Sequence, residues 1–340
     1  MARSIPFLAV TLCGLAASAQ AQSSVSLYGL IDLSGGSFQT AGADRLAGIQ
    51  SGSMSTSYFG VKGSEDLGGG VKARFQLEHF MRNDTGSAGR FTTDNFWARN
   101  SFVGLEGEFG GTFLGRITTP LFVSTLLFNS FGDSFGFSPS IRQLFTPSVG
   151  VGMLPFFGDT GWSNAIGYSS PKWGGLSFNL LANLGEDAPG STGNNLGANV
   201  LYFGGPVALT GAWQQVRNGA FGTPAGWDSQ ETWQLGGSFD FGVVKLFGQY
   251  TNVSTKATTD TETDMFGIGA SMPIGAGKLI GQYGQSKADF GSTDTTHKVL
   301  SLGYDYNLSK NTDVYAIYMS DKVSSVDSGN SYAAGLRLRF

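Results

Sequence analysis

The amino-acid sequence predicts an all-β chain, a transmembrane antiparallel β-barrel of about sixteen strands. Three observations carry this expectation. Charged residues are 14% of the 340, against about 25% in an average soluble protein. Glycine supplies 52 residues, about twice its usual share. Apolar and polar residues alternate with period two along most of the chain, in runs of about ten, while mean hydropathy is only -0.02. No run approaches the roughly 18 uncharged apolar residues of a membrane helix, so a helical membrane protein is excluded. With 41% hydrophobic and 13% aromatic residues, the chain is too rich in core-forming side chains for intrinsic disorder.

At the N-terminus, Arg3 precedes an apolar stretch from Ile5 to Ala17, followed by Ser18, Ala19, Gln20 and Ala21. A basic start, a short apolar region and an Ala-x-Ala end predict a secretory leader over 1–21, with the barrel over 22–340. A buried N-terminal helix is the competing reading. Cys13 is the single cysteine, and Leu12 stands before it where a lipoprotein signal requires a small residue. Cleavage leaves no cysteine, which excludes a disulfide-built scaffold. Removing Arg3 leaves 20 basic against 25 acidic residues, a net charge of -5. Nothing in that balance seeks nucleic acid.

The mature chain then reads as strands. Val71, Ala73, Phe75 and Leu77 oppose Lys72, Arg74, Gln76 and Glu78. Leu176, Phe178, Leu180, Ala182 and Leu184 oppose Ser177, Asn179 and Asn183. Trp233, Leu235, Gly237, Phe239 and Phe241 oppose Gln234, Gly236, Ser238 and Asp240. Tyr332, Ala334, Leu336, Leu338 and Phe340 oppose Ser331, Ala333, Gly335, Arg337 and Arg339. About ten tilted residues suffice to cross the hydrocarbon core. Over 311–320 both faces carry apolar residues, and the parity is left open. Short turns near 64–69, 108–111, 170–175, 204–206, 241–243, 273–276 and 307–311 alternate with longer polar segments. Those longer segments lie near 35–53, 81–95, 119–160, 185–193, 217–228, 253–260, 287–295 and 321–330. Short turns at one rim and long loops at the other are a membrane-barrel pattern. Closure follows because an open edge would leave backbone groups unpaired in lipid. A soluble β-sandwich also alternates, but it would need polar outer faces. Sixteen strands leave an aqueous lumen, where eight would be filled by side chains.

The segments 24–32 (SVSLYGLID), 59–78 (FGVKGSEDLGGGVKARFQLE), 103–116 (VGLEGEFGGTFLGR) and 164–175 (NAIGYSSPKWGG), with the terminal Phe340, resemble the Gram-negative general porins of the β-proteobacterial type. The resemblance implies an outer-membrane barrel, usually a homotrimer, with short periplasmic turns and long extracellular loops. It implies passive diffusion of ions and small hydrophilic solutes, and a third loop that folds inward to narrow the pore. It also implies that the final strand (Tyr332, Leu336, Leu338 and Phe340) is the signal read by the barrel-assembly machinery. A trimer latch would lie in the loop at 81–95.

Independently, 119–160 is the longest connection, and loops beyond about 12–15 residues are often functional. It carries Phe122, Phe128, Phe131, Phe135, Phe137, Phe145, Phe156 and Phe157. Two readings stand: the rings anchor the loop to the wall, or some line the constriction of a substrate-preferring channel for aromatic or carboxylate solutes. Parity, with Phe59 and Val61 towards lipid, sends Lys62 inward, and likewise Lys72 and Arg74. Arg116 is placed inward too, opposite Phe113, Gly115 and Ile117. The expectation is a basic stripe of Lys62, Lys72, Arg74 and Arg116 facing Asp133 and Asp159 of the loop, favouring anions mildly. The competing reading is that these charges merely keep the wall solvated. Lys62 and Lys72 sit beside the short turn, at a vestibule rather than the waist. Gly161 stands where related porins often carry an arginine, which weakens the anion expectation.

Enzyme chemistry finds little support. His79 shares parity with Leu77 and is expected at the outer rim, and His297 begins a late strand. Neither histidine has a nucleophile arrangement beside it. No zinc spacing is present, and glycines 68–70 lack the Lys-Ser/Thr and helix of a phosphate loop. Asp260, Glu262 and Asp264 alternate at a strand start, either as a rim calcium site or as a solvated strand end. No cofactor is expected. A structural or adhesive barrel without an open lumen is the remaining reading. Gly29, Gly115, Gly237 and Gly248 on the lipid face mark either protomer packing or curved strands.

Overall fold

A computed structural model describes residues 23–146, 157–184, 194–217, 226–289 and 294–340; the expected leader, Phe156, all of the 185–193 loop and most of the 217–228 loop lie outside them. The strands in chain order are β1 (Ser24–Phe38), β2 (Leu46–Ser51), β3 (Tyr58–Gly68), β4 (Val71–Arg82), β5 (Ser87–Ala88), β6 (Asn100–Gly107), β7 (Gly110–Thr118), β8 (Gly161–Ser169) and β9 (Leu176–Asn183). The second half holds β10 (Leu196–Gly204), β11 (Val207–Val216), β12 (Trp227–Asp240), β13 (Lys245–Ala257), β14 (Thr261–Ile274), β15 (Gly277–Asp289), β16 (Asp294–Asn307), β17 (Thr312–Val323) and β18 (Gly329–Arg339). Together they form one 18-stranded sheet whose ends meet where β1 pairs β18, Leu30 opposite Arg339 and Ser37 opposite Tyr332.

Those strands make sixteen staves. β2 and β3 share one stave, pairing in tandem with the upper and lower halves of β1. β5 is a two-residue ribbon on the end of β4. All seven expected short turns are present, from Gly69–Gly70 between β3 and β4 to the segment between β16 and β17. Several loops are shorter than the sequence suggested. Polar strand ends extend past the apolar band: β13 continues to Ala257 and β14 starts at Thr261, so only 258–260 remain of the loop placed at 253–260.

The outward face is apolar. Leu27, Val103, Leu114, Leu180, Leu235, Ile268 and Leu336 are 65%, 57%, 55%, 48%, 57%, 61% and 46% exposed, while Gln214, Gln234, Thr251 and Ser301 on the inner face are buried. Among the described residues no helix is long and apolar enough to cross a membrane; strands do the crossing.

Two short helices lie within the long connection at 119–160: α1 (Pro120–Leu127) and α2 (Pro139–Phe145). Each starts with a hydroxyl cap and a proline at its first position. Thr119 Oγ1 accepts from the Phe122 amide at 3.3 Å, and Ser138 Oγ from the Ile141 amide at 3.4 Å. The Thr119-Pro120 and Ser138-Pro139 pairs are that signature in the sequence.

The loop supplies the apolar interior that the wall lacks. Leu121, Phe122, Ile141, Leu144 and Phe145 pack with Ala212, Val253 and Met265. Phe131 and Phe137 pack with Met54, Ile280, Val299, Tyr315, Ile317 and Met319. This resolves the parity left open over 311–320: Tyr315, Ile317 and Met319 face inward because the inserted loop covers them. Ala316 and Tyr318 face out.

Candidate pore constriction and its basic mouth

The inserted loop is held across the lumen by the polar residues of the inner wall. Asn199 Nδ2 donates to the Pro120 carbonyl at 2.9 Å, and Gln249 Nε2 to the Thr125 carbonyl at 2.8 Å. Gln234 Nε2 donates to Thr125 Oγ1 at 3.0 Å, and Gln282 Nε2 to Ser140 Oγ at 2.7 Å. At the tip, Ser134 Oγ donates to the Ser53 carbonyl at 2.7 Å. Arg142 reaches Asp321 at 3.1 Å, and Asp321 also holds His297 Nε2 at 2.7 Å. α1 therefore lies on β10–β12 and α2 on β14–β16. The loop phenylalanines are mostly anchors: Phe128, Phe131 and Phe137 are 1–3% exposed, and Phe128 stacks on Phe203.

Of the expected basic stripe, three members come together. Lys62, Lys72 and Arg74 line one cavity of about 500 Å³ at the short-turn end, with Ser24, Ser26, Ser64 and Glu106. Arg74 pairs with Glu106 at 2.5 Å. Lys62 Nζ sits 4.5 Å from the centre of the Tyr28 ring. Among the described residues, neither Lys62 nor Lys72 has a carboxylate within ion-pair distance.

Arg116 does not belong to this group. Leu114 faces outward beside Val103, so Arg116, two residues on and paired with Ser101, lies on the outer face as well. The expectation had Phe113, Gly115 and Ile117 towards lipid; the parity is reversed, all three face inward, with Ile117 beside Trp162 and Leu181, and the pairing to β8 carries a bulge between Gly115 and Ile117. Gly115 permits this turn of the chain, because at φ +136° a Cβ there would sit 2.1 Å from the Ser101 carbonyl oxygen. Arg116 is consumed at the long-loop rim, donating to Asp159 at 2.8 Å, to Ser163 Oγ at 3.1 Å and to the Ala98 carbonyl.

Asp159 likewise does not face the stripe. It accepts from Arg90 Nη1 at 2.9 Å, and Arg90 is held in turn by Asp94 at 2.9 Å. Burial alone would raise the Asp159 pKa, but Arg90 and then Arg116 overcome it and hold the carboxyl below its ordinary range. Asp133 does approach the lumen wall, accepting from Ser55 Oγ at 3.0 Å.

Three cations escaped the sequence reading of the site. Arg99 lies 4.1 Å over the Tyr58 ring and pairs with Glu78, which also accepts from Tyr28 Oη at 2.8 Å and Asn100 Nδ2 at 2.6 Å. Arg337 bridges Asp313 and Asp305, each at 3.0 Å, and Arg339 reaches Asp313 at 2.6 Å. Parity put Arg337 and Arg339 on the polar face; only closure of β18 on β1 brings them beside the first strands. Tyr332, Leu336, Leu338 and Phe340 all face outward.

His79 shares the outer face with Phe59, but it is covered by the chain itself: the Phe96 ring stacks on it, 4.0 Å between centres, with Trp97 alongside. Asp260 pairs with Lys256 at 2.6 Å, and Asn252 Nδ2 donates to Glu262 and Asp264 at 2.9 and 3.0 Å. Among the described residues no group of three metal-ligating side chains forms there.

A wall this apolar outside, wet inside and crossed by a pinned loop is that of a channel. The family model described as Gram-negative porin matches residues 8–325. The chain is a Gram-negative porin. It is 32% identical to outer membrane porin protein 32 of Delftia acidovorans, over 96% of this chain and 94% of that protein. It is 28% identical to an outer membrane porin protein of Bordetella pertussis, over 97% of each. Among solved structures, it matches one titled anion-selective porin from Comamonas acidovorans with a TM-score of 0.78 and 27% identity, covering 94% of this chain and 100% of that one. A trimer form of OmpT from Vibrio cholerae shares the fold at a TM-score of 0.69 and 16% identity, covering 94% of this chain and 99% of that one.

The porin is thus an outer-membrane channel and not an enzyme, with its long loops extracellular and its short turns periplasmic.

Proposed function

We propose that this porin passes small hydrophilic solutes with a mild preference for anions, set at its periplasmic mouth by Lys62 and Lys72 with Arg74 beside them. The observation that carries the reading is that Lys62 and Lys72 line one cavity without a carboxylate partner among the described residues, whereas Arg74, Arg99, Arg337 and Arg339 are paired. An unpaired cation on a narrow, low-dielectric wall acts on passing ions within a Debye length, about 8 Å at physiological salt. A porin titled anion-selective matches over nearly the whole chain, which supports the same sign. Asp133 of the inserted loop, held by Ser55, is the proposed acidic counterpart across the lumen.

Reversal potentials across a planar bilayer under a KCl gradient test the reading. The wild type is expected to favour chloride, and Lys62→Glu with Lys72→Glu to abolish or reverse that preference. Cation preference in the wild type, or an unchanged potential in the double variant, sinks it.

Three further roles belong to the same reading: export by the leader over 1–21, recognition of the strand ending in Phe340 by the assembly machinery, and association of three copies. The exposed outer face of β1 and β2, with Val25, Leu27 and Ile49, is the proposed contact between copies, latched by the loop at 81–95. Chemical cross-linking that yields monomer alone removes the trimer.

A further inference from the structure

The inner wall at β6 and β7 carries two aromatic rings that the inserted loop leaves uncovered. Phe102 and Phe113 face inward side by side, 5.1 Å between ring centres and inclined at 66°. Neither is buried. Among the described residues no ring of the third loop stacks on them, since α1 and α2 lie against β10–β12 and β14–β16. They are not anchors of the loop, as Phe128, Phe131 and Phe137 are. Two phenylalanines facing a water-filled lumen have apolar surface to give to a solute.

The wall beside them is bare. Arg74, Gly104, Phe113 and Gly167 follow one another across adjacent strands, from β4 through β6 and β7 to β8. A Cβ at Gly111 would come within 2.7 Å of the Phe113 ring, and one at Gly104 would strike the same ring. The ring therefore lies along the wall, over two glycines. With strands about 4.8 Å apart, the backbones of Arg74 and Phe113 stand about 10 Å apart, with only Gly104 between them. Arg74 borders this gap. It gives Nη1 to Glu106, while its Nε and Nη2 have no partner among the described residues. Those two groups form one edge of the guanidinium, which takes a carboxylate through two parallel hydrogen bonds. Glu106 beside it repels negative charge and so favours a monoanion over a dianion.

We propose that this bay is a subsite for aromatic monocarboxylates, with the carboxylate on Arg74 and the ring on Phe113 beside Phe102. The inference rests on the anion preference proposed for the same mouth and names the class of anion retained there. Lys62 and Lys72 draw anions of every kind to the cavity that Arg74 shares with them. Contact between rings then separates aromatic from aliphatic acids. The surface that meets an aromatic solute is thus on the wall, and the third loop keeps its phenylalanines for packing.

Single-channel currents of the full porin in KCl, with benzoate or cyclohexanecarboxylate added on the periplasmic side, test this. The two acids match in charge and nearly in size, and only benzoate has a π face. Benzoate should reduce the wild-type current at a concentration about fivefold lower. Phe113→Leu should erase that advantage, while its reversal potential in KCl alone stays at the wild-type value and certifies a folded channel. Arg74→Gln should weaken both acids together. Phe135→Leu, at a half-buried ring of the third loop, should keep the advantage. Four results would each overturn the subsite. These are equal block of the wild type by the two acids, no block by benzoate, an advantage that survives Phe113→Leu, and one that vanishes in Phe135→Leu. Any of them together with chloride preference in the wild type removes the subsite alone; cation preference there removes the anion-selective mouth as well.

Discussion

The ring of Phe340 lies on the α-carbon of Gly29. A Cβ at Gly29 would come within 2.5 Å of the ring and 2.7 Å of the Tyr58 carbonyl oxygen. The two residues also exchange backbone hydrogen bonds, Gly29 N to Phe340 O at 3.0 Å and Phe340 N to Gly29 O at 3.1 Å. The last residue of the chain thus closes the first strand, and glycine is required there for close approach, not for chain curvature. Gly29→Val should destabilise the barrel by about 2 kcal/mol, the scale of overpacking a fitted site. The measurement is urea unfolding of protein refolded in vitro, where no assembly factor is present. Wild-type stability there would show that this close approach does not hold the barrel closed.

At the mouth, Glu106 masks Arg74. Removing the mask in Glu106→Gln frees a third cation beside Lys62 and Lys72, so anion preference should rise, read as a larger reversal potential in the same salt gradient. Arg116→Glu should leave that potential where it is, because Arg116 lies on the outer face at the rim. An equal shift in both variants would place Arg116 back in the pore.

The rim cluster of Arg90, Asp94, Arg116 and Asp159 has a defined pH window. The folded-state pKa of Asp159 lies below its unfolded value, so its contribution is complete above about pH 4. It is lost as the pH falls through the depressed folded value. Hydrogen exchange over 90–99, corrected for intrinsic rates, should stay protected from pH 8 to pH 5 and open only under stronger acid. Asp159→Asn should open the same segment at neutral pH, by about 3 kcal/mol, because it leaves Arg116 without its carboxylate and Arg90 with Asp94 alone.

The loop that narrows the pore depends on its buried rings. Phe137→Ala should loosen the tip by about 3–5 kcal/mol, the cost of emptying a fully buried phenylalanine site. Single-channel recordings should then show noisier and larger steps, and Phe137→Leu should restore most of the quiet current. A silent change in current would mean that Gln234, Gln249 and Gln282 hold the loop without it.

Much of this was legible along the chain. Trp233, Leu235 and Phe239 against Gln234 and Ser238 gave the correct faces, because lipid and water enforce a strict period of two wherever nothing else touches the wall. The pattern broke where something does. Over 311–320 both faces are apolar and the sequence sets no parity; Tyr315, Ile317 and Met319 are inward, since the inserted loop makes a local apolar interior. Arg116 lies outward for a related reason: Phe113 and Ile117 are apolar yet inward, Phe113 against Phe102 and Ile117 against Trp162 and Leu181, so their apolarity points to the wrong face. The helix caps at Thr119-Pro120 and Ser138-Pro139 were available to reading and would have located both helices.

What the sequence by itself determined is the kind of surface each strand must have, and hence a closed barrel with a wet middle and a long third loop. Alternation, turn spacing and glycine content are local properties, and they survive without knowledge of neighbours. Which cations remain unpaired was decided only by the tertiary structure. Arg337 meets Asp305 and Asp313 across strands, Arg74 meets Glu106, Arg116 meets Asp159, and Lys62 and Lys72 meet no carboxylate among the described residues. Charge compensation is a matter of distances of a few ångströms between residues far apart in the chain, and only barrel closure and the seating of the loop fix those distances.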